Sequence, residues 1–213
     1  MIKRIIFDVD GTLTCNVHFE PAISKTLKKL NIFSKDNLNK FLFGISTYEK
    51  NYNSYNRHDY LKHFSQILEI KLKEEFINIF FEELKYIVPK EFKGIEETVK
   101  ELSEKYELVI LSNYFSQSQK NRLNNMNIGH LFSEFHGEKI IKPNSQAYID
   151  ACGSNFPKEC VMVGDNVDLD IEGALNVGLK AVLVNNGKQT DSHLNILKIE
   201  KIEDLTIEMI ENL

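Results

Sequence analysis

Three apolar runs in the chain end in polar, oxygen-rich clusters. Ile5-Ile6-Phe7 runs into Asp8-Val9-Asp10-Gly11-Thr12, Val109-Ile110-Leu111 into Ser112-Asn113, and Val161-Met162-Val163 into Gly164-Asp165-Asn166. In open parallel sheets, ligands bind outside the carboxyl ends of the strands. If the three runs are neighbouring strands, Asp8, Asp10, Ser112 and Asp165 converge on one crevice; the sequence does not fix that order. Carboxylates crowded together repel, and a divalent cation resolves the conflict and holds them ionised. Hard oxygen donors, with no His or Cys at ligand spacing, favour magnesium over zinc and leave room for a substrate phosphate. A carboxylate is also a competent nucleophile in phosphoryl transfer. The small-residue turn at Gly11-Thr12 offers backbone amides to anionic oxygens, and the Ser112 hydroxyl offers one more donor.

Those clusters need strands behind them and helices to carry the chain back. Residues 2–8, 108–111, 161–163 and 181–184 read as buried strands. Helical spacing lies between the later ones: Ile95, Val99 and Leu102 share a face, a helix opened after Pro143 and Asn144 continues through Tyr148 to Cys152, and Ile171, Ala174 and Leu175 mark another. A last helix is expected over about 203–212. Such alternation implies an α/β fold with a parallel sheet covered on both faces. From about residue 14 to 88 the pattern changes to helices alone. Ile23, Leu27 and Leu30 suit one, residues 63–68 a second, and Phe76, Phe80, Leu84 and Ile87 a third. The Phe stripe reads as core packing, and the whole stretch as a helical insertion between the first strand and the rest of the sheet.

Composition narrows the function. The chain has 213 residues, 42% of them apolar, enough for a buried core. A net charge of -5 argues against a broad basic face for nucleic acid. No apolar run approaches the ~20 residues of a membrane span, and the N-terminal strand is too short and too soon acidic for a signal peptide. Cys15, Cys152 and Cys160 are odd in number and form no CxxC pair, so free thiols in a reducing, cytoplasmic compartment are expected. Taken singly, each candidate has an ordinary role. Asp8 and Asp10 suit a strand-ending turn, Ser112 and Asp165 suit helix caps, and Lys142 suits a solvated loop. His130, His136 and His193 form no pattern.

Together, these segments resemble one family. Asp8-Val9-Asp10-Gly11-Thr12-Leu13 is similar to the first motif of the haloacid dehalogenase-like hydrolase superfamily. Ser112-Asn113 is similar to its second, Lys142-Pro143 to its third, and Gly164-Asp165-Asn166 with Asp170 and Gly173-Ala174 to its fourth. The resemblance implies a Rossmann-like catalytic core from residues 1–13 and 89–213, with an all-α cap of the family's first cap class at 14–88. It implies that Asp8 attacks phosphorus, that Asp10 protonates the leaving oxygen and then activates water, and that Lys142 neutralises the phosphoryl charge and orients Asp8. Gly11, Thr12, Ser112 and Asn113 would bind phosphoryl oxygens. Mg2+ would be held by Asp8, Asp165 and the main-chain carbonyl of Asp10, with Asp170 supporting the metal or Lys142. The implied activity is hydrolysis of a small phosphorylated metabolite by a monomer or homodimer, without nucleic acid or membrane. A phosphosugar mutase, a 2-haloacid dehalogenase and a non-catalytic binding protein on the same fold are the alternatives. Within the insertion, Arg57 and, near the first motif, His18 are the candidates for substrate contact.

Overall fold

The computed structural model describes residues 1–15, 17–187 and 194–213. Six strands form one parallel sheet: β1 (Arg4–Phe7), β2 (Glu107–Leu111), β3 (Glu134–His136), β4 (Cys160–Gly164), β5 (Lys180–Val184) and β6 (Leu197–Ile199), in the order β3-β2-β1-β4-β5-β6. The first strand is therefore central, between β2 and β4, and Phe7 pairs with Ile110 on one side and Val163 on the other. This register sets Asp8, Ser112 and Asp165 at adjacent strand ends, and settles the order that the sequence left open.

Alternate side chains of each strand face opposite ways, and the two faces build two cores. Ile5, Phe7, Leu108, Ile110, Val161 and Val163 pack with Ile95, Val99 and Leu102 of α5 (Lys93–Ser103) and with Leu123 of α6 (Ser116–Asn125). Ile6, Val109, Leu111 and Met162 pack with Ala147, Tyr148 and Ala151 of α7 (Ser145–Cys152) and with Ala174 of α8 (Gly173–Asn176).

Between β1 and α5 lie four helices: α1 (Glu20–Lys29), α2 (Lys35–Asn51), α3 (Arg57–Leu68) and α4 (Glu74–Leu84). They enclose their own apolar cluster, in which the Phe41, Phe64, Phe76 and Phe80 rings pack together. The expected Phe stripe is indeed core. Tyr55 and Tyr60 rest on Tyr114 and Phe115, which join this layer to the end of the sheet.

The structure corrects several expected elements. α2 has no counterpart in the three-helix reading. Its buried positions Leu38, Phe41, Gly44 and Tyr48 are too sparse among polar residues to show as a stripe. The strands β3 and β6 are three residues each, too short for a pattern. The last helix, α9 (Ile207–Glu211), is shorter than 203–212 because Leu205 is extended between it and a 3-10 turn at Ile202–Asp204.

Candidate active site

β1 delivers Asp8 to a crevice whose walls include Asp10, Ser112, Asn113, Lys142, Asp165 and Asp170. Asp8 is buried, its backbone N–H bonded to the Val163 carbonyl at 2.9 Å. Lys142 Nζ donates to Asp8 Oδ1 at 2.7 Å and to Asp170 Oδ1 at 2.6 Å. Asp170 reaches this point through a π-helical turn, Val167–Glu172, entered from Asn166, whose Oδ1 accepts from the Leu169 N–H at 3.0 Å. Its other oxygen accepts from the Asn166 N–H at 3.0 Å.

Close approach here depends on two glycines. At Gly11, with φ of +91°, a Cβ would stand 2.5 Å from the Asp165 carboxyl. At Gly164 a Cβ would stand 2.3 Å from that of Asp170. Any larger residue would push the carboxylates apart.

Asn113 fixes the loop that carries the lysine. Its Oδ1 accepts from the Lys142 N–H at 2.8 Å and its Nδ2 donates to the Lys142 carbonyl at 2.9 Å. Ser112 Oγ accepts from Gln119 Nε2 at 3.0 Å, which leaves its own hydrogen to donate.

Burial, partly opposed by the Lys142 ammonium, pushes Asp8 up to about 8, and the Asp170 and Asp10 charges add to the rise. Burial alone would lower Lys142; Asp170 and Asp8 override it and hold the ammonium above its ordinary value. Lys142 thus stands between two buried carboxylates and is paired with both. Oxygens of Asp8, Asp165 and Asp170 lie within 4.8 Å of one another. An all-oxygen set of this kind suits a hard divalent cation.

Asp10 is held away from the lysine. Its Oδ1 accepts from Arg122 Nη1 at 2.7 Å and its Oδ2 from Gln119 Nε2 at 2.8 Å. Neither α6 residue stands out in the sequence. Their signal is two long polar side chains three apart on the helix that follows Ser112, both on its buried face. Glu49 of α2, equally unmarked in the sequence, reaches the crevice to accept from Asn113 Nδ2 at 3.0 Å.

Four expected contributors either bond within their own turn or lie away from the crevice. The amides of Gly11 and Thr12 donate to the Thr14 and Val9 carbonyls inside their own turn, so they are not turned out toward an anion. Arg57 donates to Glu74 at 2.7 Å and Asn78 at 2.9 Å and lies over the Phe81 ring, away from the crevice. His18 is exposed on the segment before α1 and lines neither the crevice nor the compartment that adjoins it. His193 lies outside the described residues, and His136 pairs with Glu134 on β3.

The model of the haloacid dehalogenase-like hydrolases matches residues 2–178. The chain belongs to the haloacid dehalogenase-like hydrolase family. Among its curated relatives in this family is a glyceraldehyde 3-phosphate phosphatase of Methanothermobacter thermautotrophicus, 27% identical with 97% of each chain covered. Another of that name, from Methanopyrus kandleri, is 26% identical over 90% of this chain and 87% of its own. Haloacid dehalogenase-like folds also match in structure. The HAD-hydrolase YfnB of Bacillus subtilis, solved bound to magnesium, superposes with a TM-score of 0.69 at 17% identity, covering 98% of this chain and 99% of its own. A HAD phosphatase of Thermococcus onnurineus gives 0.65 at 23% identity, with 94% of each chain covered. Like these hydrolases, the chain is an enzyme. Among its described residues, no helix is long and apolar enough to cross a membrane.

Proposed function

We propose that this hydrolase is a magnesium-dependent phosphomonoesterase that passes through a phospho-aspartate on Asp8, and that residues 14–88 act as its cap. The observation that carries the reading is the bridge from Asp8 through Lys142 to Asp170, with Asp165 alongside. It is an arrangement for a buried nucleophilic carboxylate beside a fixed positive charge.

In the first half-reaction an oxygen of Asp8 forms a bond to phosphorus while the ester P–O bond breaks, and Asp10 gives its proton to the departing oxygen. In the second, Asp10 takes a proton from water as the water oxygen bonds to phosphorus. The bond to Asp8 breaks, inorganic phosphate leaves, and both carboxyls are restored. Acid–base help of this kind is worth ~10²–10⁴-fold. Lys142 offsets charge on the phosphoryl oxygens, and the Ser112 hydroxyl and the Asn113 backbone donate to them. Magnesium, held by Asp8, Asp165 and the Asp10 carbonyl, would supply further charge neutralisation. Asp170 serves by positioning Lys142.

The names of the two curated relatives make glyceraldehyde 3-phosphate the first substrate to try. Asp10 speaks against a haloacid dehalogenase, whose chemistry on carbon needs no second acid at that position. The test is phosphate release from an aryl phosphate with and without magnesium. Release that needs the metal, and is abolished in Asp8→Asn, is expected; full activity in that variant would reject the nucleophile. Free phosphate rather than an isomerised sugar phosphate separates hydrolase from mutase.

A further inference from the structure

The crevice around Asp8 shares Asp10, Glu49 and Asn113 with an adjoining compartment of about 190 Å³ between the inserted helices and the sheet. Drug-sized clefts run ~300–1,000 Å³, so this one suits a short organic group. Phe19, Ile45, Phe80 and Leu84 give it an apolar wall. The phosphoryl group belongs in the crevice and Asp10 stands at the junction, so the second compartment is where a leaving group would lie.

Its charge is one-sided. Among the described residues lining the two spaces, the cations are Lys142 and Arg122. Lys142 is spent on Asp8 and Asp170. Arg122 gives four of its five N–H groups to Asp10, Gln119, Thr14 and the Ile87 carbonyl, and its charge is paired with Asp10. Glu49 is held instead by neutral donors. Its Oε1 accepts from the Tyr55 hydroxyl at 2.7 Å and its Oε2 from Asn113 at 3.0 Å. A carboxylate accepts about four hydrogen bonds, so acceptor capacity remains toward the compartment.

We propose that Glu49 selects phosphomonoesters whose leaving group is short, uncharged and hydroxyl-bearing, and excludes those with a second anionic group. A hydroxyl donates to the free lone pairs while the carbon skeleton rests on the apolar wall. A carboxylate or second phosphate meets like charge and, among the described residues, finds no cation that is not already paired with a carboxylate, a penalty on the order of 100-fold. The inference rests on the phosphomonoesterase reading and adds the substrate class to it.

D-Glyceraldehyde 3-phosphate and 3-phosphoglycerate share a carbon skeleton and differ in aldehyde against carboxylate. The wild-type enzyme is expected to favour the aldehyde by roughly 100-fold in kcat/KM. Glu49→Gln is expected to narrow that ratio by about 10-fold or more, chiefly by raising turnover of 3-phosphoglycerate. Equal use of the two esters by the wild type, or a ratio that Glu49→Gln leaves unmoved, overturns the inference and leaves the phosphatase intact. Failure to release phosphate from either ester or from an aryl phosphate overturns both. A measurement without any variant tests the same selectivity: glycerol should inhibit aryl phosphate hydrolysis at lower concentration than glycolate, and the reverse order defeats the proposal.

Discussion

Arg122, buried in α6, donates to Asp10 Oδ1 at 2.7 Å, while Gln119 one turn earlier donates to the other oxygen at 2.8 Å. The side chain proposed as acid and base is thus fixed by a helix that begins just after Ser112. Replacing Arg122 by Lys keeps the charge and loses the planar fork. The kcat of Arg122→Lys should fall by about 10-fold or more, within the ~10²–10⁴-fold range that acid–base help supplies. KM should move less. An unchanged kcat would show that Asp10 needs no such support.

Asp165 and Asp170 are expected to fail in different ways, although both approach Asp8. Asp170 is buried and bonded to Lys142 and to the Asn166 N–H. Asp165 is only partly buried and lies against Gly11 at the edge of the crevice. Asp165→Asn should raise the magnesium concentration for half-maximal activity by more than ~10-fold, as loss of a hard ligand does. Asp170→Asn should lower kcat at saturating magnesium and lower the melting temperature, because Lys142 then keeps only one carboxylate. Titrating activity against magnesium for both variants checks the division.

Gly11 holds the same site by omission. In Gly11→Ala the left-handed φ costs about 1 kcal/mol or more, and the new methyl meets the Asp165 carboxyl. A higher magnesium concentration for half-maximal activity, together with a lowered melting temperature, is expected. A variant that melted lower but kept its magnesium response would confine the effect to the turn.

Much of this was legible before the fold was known, and the reason is physical. Strand ends are marked where an unbroken apolar run meets a polar, oxygen-rich cluster, and Asp8, Ser112 and Asp165 lie in such clusters. Their convergence depended on the order β2-β1-β4, which no local pattern encodes. What the sequence hid are contacts made across elements. Arg122 lies 112 residues from Asp10, and Glu49 lies 64 from Asn113. Glu49 sits on α2, whose apolar stripe is too thin to announce a helix. Arg57 misled because composition cannot tell an arginine facing a crevice from one paired with Glu74 on the outside.

Acidity offers the last prediction. Asp8 is pushed up to about 8, chiefly by burial. A carboxyl whose pKa is raised on folding contributes stability that is complete below its unfolded value, near 4, and is lost as pH climbs through its folded value. The metal-free protein should therefore lose stability between about pH 4 and 8 through this group. Magnesium requires the ionised form, so below about pH 8 its binding must release a proton. Its apparent affinity should rise with pH by up to about 10-fold per unit and level off above 8. Calorimetric titration in two buffers of different ionisation enthalpy would count that proton. Asp8→Asn should abolish the release, and a wild-type signal independent of buffer would show that Asp8 is already ionised before the metal arrives.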